Sequence, residues 1–304
     1  MTYRIELHDV QAGEGRHIAD SYAYWHKPEF MAAIADLHHV KGLQLQVYKG
    51  EELFALLPLF ERSKMGIKAI VAPVGAYYQG ISFAFEANVS APRKLLDTTA
   101  VCGEIAGYLA ARYRRVHFRL NPENTDVRGF SWNGFKASPL YTFRSSAAAE
   151  LPSLPDERKK LRTAQNLGMS LEERFDSEVF IRLQKDLDQR KSHKLGISYS
   201  GLQSFVEKLF SAGLLKQFNV LWDGKPVSSN ILLHDGGDVA YTLFQATAED
   251  AMRKGAATFH SLSLLQHLPA GTRIFDYCGA NVQEVARFKA ALGLELVNFY
   301  QIRL

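Results

Sequence analysis

Arg158, Lys159, Lys160 and Arg162 stand within little more than one helical turn, with Arg158 and Arg162 at i and i+4. On one helix face both guanidiniums can meet a single phosphate, although such a run also suits a solvated surface. A second anion site is offered by Arg253-Lys254-Gly255-Ala256, which runs into a helical pattern. Free backbone N–H groups and the helix dipole could receive a phosphate there, with glycine permitting close approach; an ordinary helix start reads the same way. Asp276 ends the strand pattern Arg273 to Tyr277, where a carboxylate can accept from an amine or adjoining loop, or cap the next helix. Tyr241 and Gln245 lie on one strand pattern, alternating with Leu243, and could line a pocket or belong to the core. Cys278 is either a nucleophile or a buried small hydrophobe. The histidines are scattered, and His38-His39 has no companion pair at ligand spacing, so no metal is expected.

Strands and helices that would position these residues follow from periodicity. Pro28 to His39 is helical, with Phe30, Met31, Ile34 and Leu37 on one face. Leu43 to Tyr48 and Leu53 to Phe60 read as a hairpin turning near Gly50, followed by a strand over Lys68 to Val74. A helix over Ala91 to Arg114 shows Leu95, Leu96, Ile105 and Leu109 at helical spacing; then come a strand at Val116 to Leu120, a loop-rich stretch and a strand at Leu140 to Phe143. The Pro-containing stretch after Ser145 marks a junction near 146. Beyond it are helices at Asp156 to Leu167, Ser177 to Arg190 and Leu202 to Ala212. A hairpin at Leu215 to Leu221 and Val227 to Leu233, a strand at Val239 to Phe244, and a helix at Ala256 to Leu268 come next. Strands at Arg273 to Tyr277 and Leu296 to Ile302 flank a short helix at Glu284 to Leu292.

At 304 residues and 47% hydrophobic the chain can bury two domains, which excludes disordered and fibrous classes. A net charge of +4 suits anionic small ligands without demanding nucleic acid, and no DNA partner is expected. Two cysteines form no disulfide framework, the opening residues lack a signal-peptide pattern, and no apolar run approaches the ~20 residues of a membrane span. A cytoplasmic protein without a transmembrane segment is expected.

The order of elements repeats. Hairpin, strand, long helix, strand, glycine turn and closing strand occur once around Gly50 and once around Gly224, with RRVHFRL answered by TRIFDY and YTF by NFYQIRL. This order resembles the GNAT acyltransferase core, and two copies resemble the Fem-type peptidyltransferases. The run FDYCGANVQEVARFKAALGLELVNFY is similar to a Fem-type signature, on which Asp276, Gly279, Phe288, Lys289, Gly293 and Tyr300 fall. ERKKLRTAQNLG is similar to the basic helix opening the second domain of that family, matching at Arg158, Leu161, Arg162, Ala164 and Gly168.

The resemblance implies an α/β (α+β) protein of two tandem GNAT-like domains, each a mixed central sheet flanked by helices. Residues 1–145 would be a degenerate acceptor-side domain and 146–304 the domain holding the donor pocket. It implies transfer of an acyl or aminoacyl group, from acyl-CoA or aminoacyl-tRNA as co-substrate, to an amine on a small molecule or cell-envelope precursor. tRNA is then a partner in the second case, and no permanently bound cofactor is expected. Asp276 and Lys289 would be catalytic; Phe288, beside Lys289, would lie with Arg253, Lys254, Gly255 and Ala256 at the donor; Arg158, Arg162, Tyr241, Gln245 and Tyr300 would contact substrate. Two positions depart from the pattern. Cys278 stands where the family has glycine, and Met252, which donates no hydrogen bond, stands where the GNAT phosphate loop has Gln or Arg. The chain has no room for a long helical-hairpin insertion, which tilts the donor toward CoA. A non-catalytic binding or scaffold protein that keeps the double fold is the alternative.

Overall fold

β1 (Tyr3–Asp9) carries a Tyr-Arg-Ile-Glu-Leu-His alternation, a strand signal outside the expectations above, and pairs antiparallel with β2 (Lys41–Lys49) in the computed structural model. That structure describes residues 3–10, 16, 23–147, 149–191 and 195–304. After α1 (Pro28–His38), β2 turns at Gly50, whose φ of +65° costs glycine nothing, into β3 (Glu52–Lys64). A left-handed pair, Met65 and Gly66, leads to β4 (Ile67–Val71), and β5 (Ser82–Phe83) pairs with the other part of β3.

α2 (Ala91–Arg112) covers this sheet with Val101, Cys102, Ile105, Ala106 and Leu109; Leu95 and Leu96, expected on the same stripe, are exposed because they precede the part of the helix that packs. β6 (His117–Arg119) and the short α3 (Arg128–Ser131) complete the packing, and the latter occupies the stretch read as loop. Gly129 makes that contact possible: a Cβ there would lie 2.4 Å from the Thr99 carbonyl oxygen.

β7 (Lys136–Ser146) is much longer than the Leu140 to Phe143 expected, because Pro139 and exposed polar residues hide its ends from a pattern search. There follow α4 (Pro155–Asn166), β8 (Ser170–Glu173), α5 (Ser177–Arg190), α6 (Tyr199–Ser211), β9 (Leu215–Trp222) and β10 (Lys225–Leu233). Capping starts two of the helices: the Asp176 side chain accepts from the Val179 N–H and Ser198 from the Gly201 N–H. β9 and β10 turn at Asp223 and Gly224, both left-handed as a two-residue hairpin requires. The rest is β11 (Val239–Thr247), α7 (Glu249–Arg253), α8 (Ala256–Leu264), β12 (Ile274–Asp276), α9 (Gln283–Ala291) and β13 (Glu295–Arg303). Among the described residues no helix is long and apolar enough to cross a membrane.

The chain divides into two compact units, Met1–Leu140 with Asn298–Leu304, and Tyr141–Val297, so the stretch read as a junction lies inside the second unit. Their strand orders match. In the first, the antiparallel set ends at β4, Ile70 bridges Val116 in parallel, and β6 pairs antiparallel with Gln301–Arg303 of β13. In the second, β8, β9, β10 and β11 are antiparallel neighbours, β12 runs parallel to β11, and β7 runs antiparallel to β12. The closing strands are therefore exchanged relative to the sequence order: YTF belongs to the strand beside β12, and the last residues of the chain lie beside β6.

Candidate active site

Asp276 sits where β12 leaves the sheet, opposite Arg144 on β7 and beside Tyr241 on β11. Its carboxylate is fully buried. One oxygen accepts from the Thr142 hydroxyl at 2.6 Å and from the Cys278 N–H at 2.8 Å, and the other accepts from Arg144 Nε at 2.8 Å. These bonds hold the strand end and the turn after it. Thr142 and Arg144 were not among the residues singled out from the sequence; their alternation along β7 was the available signal.

The turn is unusual in its backbone. Cys278 takes φ +46° and Gly279 φ +57°, so the carbonyls of Tyr277, Cys278 and Gly279 converge. Lys289, from α9, sends its ammonium into that ring of oxygens, donating to Tyr277 at 2.6 Å, to Gly279 at 3.2 Å and to Cys278. Burial lowers the Lys289 pKa to about 8, against the opposing influence of Asp276. Phe288, next to it, packs partly buried against the cluster of Phe275, Tyr277 and Leu292, so the two side chains diverge as neighbours about 100° apart on a helix must. Cys278 is no activated nucleophile: burial first, and then the Asp276 charge, push its thiol well above the ordinary value.

Around the start of α8 the surroundings are crowded. Gly255 takes φ +88°, and a Cβ there would stand 2.3 Å from the Lys160 carbonyl oxygen, so the backbone of α4 lies directly against this loop. Glu157 of α4, almost fully buried, accepts from the Thr258 hydroxyl at 2.6 Å and pairs with Lys160 at 2.6 Å. A carboxylate thus already sits by the first turn of α8. Arg253 pairs with Glu249 at the surface, Lys254 is exposed, Ala256 is buried, and Met252 receives a contact from Arg190 Nη1 at 3.2 Å. Arg158 and Arg162 are both exposed on α4, the former donating to the Ser153 carbonyl.

β11 carries an irregularity that period-two counting could not anticipate. Opposite the consecutive Ile231 and Leu232 stand Phe244 and Thr242, so Leu243 is bulged out of the ladder. Thr242 and Gln245 then share the face of Asn230, whose amide lies 3.4 Å from each, while Tyr241 turns to the other face. One pocket wall cannot hold both Tyr241 and Gln245. On the Asn230 face, Ser228 meets His260 Nδ1 at 2.7 Å, and complete burial lowers the His260 pKa to about 3. Tyr300 lies in the first unit, packed against its core and accepting from the Leu120 N–H.

No protein-family model matches the sequence, and no curated protein sequence does. Solved structures do. FemX aligns over 90% of this chain and 90% of its own, with a TM-score of 0.65 at 15% identity. The C-terminal domain of an Agrobacterium fabrum protein named as a lysylphosphatidylglycerol synthetase aligns over 90% and 87%, with TM-score 0.58 and 13% identity. A tandem GNAT protein from the clavulanic acid biosynthesis pathway aligns over 99% and 98%, with TM-score 0.50 and 11% identity. At such identities the likeness is one of fold, and the paired strand orders agree with it: the chain has the tandem GNAT fold.

Proposed function

We propose that this protein is an N-acyltransferase that moves an acyl or aminoacyl group from a thioester or ester donor to an amine acceptor. The observation that carries the reading is Lys289: a cation of lowered pKa, held by converging carbonyls at the end of β12, beside the parallel pair β11 and β12. Acyl transfer to an amine needs stabilisation of the carbonyl oxygen and a route for the amine proton, and no covalent enzyme intermediate. An ammonium that can exchange a carbonyl contact for the developing oxyanion meets the first need; with its pKa lowered to about 8 it can then give a proton to the departing thiolate or alkoxide and, once neutral, take one from the attacking amine.

Of the two donors, acyl-CoA and aminoacyl-tRNA, the crowding at α8 favours the second. Glu157 beside the first turn and the Lys160 carbonyl against Gly255 are poor neighbours for a pyrophosphate. Exposed Arg158 and Arg162 on α4 suit a longer phosphate backbone. The acceptor is an amine of a small molecule or cell-envelope precursor. A non-catalytic binding role has one observation in its favour, since the three protons of Lys289 and the Asp276 carboxylate already have partners within the protein. Native mass spectrometry and thermal shift with acetyl-CoA, with aminoacyl-tRNA and with neither separate these readings. Stabilisation by aminoacyl-tRNA alone supports the ester donor, stabilisation by acetyl-CoA alone selects the thioester, and no response to either defeats the transferase reading.

A further inference from the structure

Along β6 the residues Val116, Phe118 and Leu120 point into the core of the first unit, none more than 2% exposed. His117, Arg119 and Asn121 therefore occupy the opposite face, and the Leu120 N–H to Tyr300 bond carries the alternation past the end of the strand. Across the ladder Gln301 stands opposite Arg119 and Arg303 opposite His117.

This face is rich in polar groups that lack partners. Asn121 is 1% exposed, and neither its amide oxygen nor its amide nitrogen has a hydrogen-bond partner among the described residues. His117 Nε2 and Gln79 Oε1 are likewise buried without one, and Gln79 is tied to this strand through its own N–H and the Arg119 carbonyl. Gly80 is kept small by the arrangement, since a Cβ there would lie 1.8 Å from the Asn121 amide oxygen. Arg119 is half-buried, and among the described residues no carboxylate acts on it; the groups that do are the Tyr77 phenol, which favours its proton, and the Arg303 guanidinium, which repels it. Burial pulls its pKa below the usual range.

Desolvating a guanidinium without a carboxylate costs free energy, and an unpartnered buried amide adds about 1–3 kcal/mol. Apart from the influence of Tyr77 on Arg119, neither group has a favourable partner among the described residues that would offset this cost. We propose that Arg119 and Asn121, with Arg303 at the rim, form an oxyanion-binding site in the first unit that takes a phosphoryl or carboxylate group of a ligand. The guanidinium offers a fork for two oxygens, the Asn121 amide donates to a third polar atom, and its carbonyl accepts from a hydroxyl or amide beside the anion. The site stands whether or not the acyl-transfer reading does, because binding is measured without any donor.

The test is calorimetry and thermal shift of the full chain with inorganic phosphate, pyrophosphate or acetate, against chloride at equal ionic strength. Saturable binding is expected, tighter for phosphate and pyrophosphate if the group is phosphoryl and for acetate if it is carboxylate. Arg119→Met should weaken it at least tenfold, while leaving the chloride form at least as stable as wild type, since an uncompensated charge is replaced by an apolar stem. Absence of saturable binding by all three anions, unchanged affinity in Arg119→Met, or a loss of stability in chloride from that substitution, overturns the proposal. Arg119→Lys gives an independent reading: it keeps the charge without the fork, so binding should weaken, and full affinity for phosphate and acetate overturns the proposal as well.

Discussion

Lys289 is the residue on which the enzymatic reading turns, and its position separates two roles. As an oxyanion donor it should matter to turnover: Lys289→Ala is expected to lower it on the order of 10²-fold, with Lys289→Arg restoring part. As a ring-closing cation it should matter to stability, with a sign that pH reveals. Its folded pKa of about 8 lies below the ordinary 10.5, so between those values the unfolded chain holds the proton more tightly. The native state therefore gains stability as pH rises through that window, fully so above 10.5, and loses it as pH falls through about 8. Denaturant titrations of wild type and Lys289→Met at pH 7 and pH 10 should show the difference between them shifting in favour of wild type; a constant difference contradicts a depressed pKa. Asp276, by contrast, spends its carboxylate on Thr142, Arg144 and the Cys278 N–H, and its part is to hold the turn that Lys289 closes.

In the proposed reaction, α4 and α8 would decide how the second unit meets a donor. Gly255→Ala forces both a left-handed alanine and a contact with the Lys160 carbonyl, so it should cost about 2–4 kcal/mol in urea unfolding with little change in m. A neutral result would mean that α4 and α8 are not held together as closely as the carbonyl contact requires. Charge reversal on the exposed face, Arg158→Glu with Arg162→Glu, should leave stability within about 0.5 kcal/mol and weaken aminoacyl-tRNA binding while flattening its salt dependence. An unaltered dissociation constant and salt slope would make that face simply solvated. The basic run and the glycine were legible in the sequence because each is a local pattern. The buried Glu157 was not, since nothing about a glutamate three residues before Lys160 says which helix it will face.

Over the whole chain, β13 passes from the second unit into the first, where Gln301–Arg303 pair with β6 and Ile302 enters the core. Deleting residues 298–304 should therefore damage the N-terminal unit more than the one it follows in sequence. Hydrogen exchange should lose protection at the His117 to Leu120 amides, at a cost exceeding the ~2–5 kcal/mol of a single buried isoleucine truncated to alanine. Retained protection there, with loss confined to the second unit, would show the tail to be dispensable to the first. The sequence by itself determined the types of most elements, the hairpins at Gly50 and Gly224 and the two-fold order of elements, because periodicity, left-handed glycines and turn residues act over a few neighbours. Only the tertiary structure decided that YTF would lie against TRIFDY and the C-terminus against RRVHFRL, that a bulge would part Tyr241 from Gln245, and that the carbonyls of a strained turn would gather on Lys289. Each of those depends on which strands become neighbours, and strand pairing joins residues more than a hundred positions apart, with no local signal to announce it.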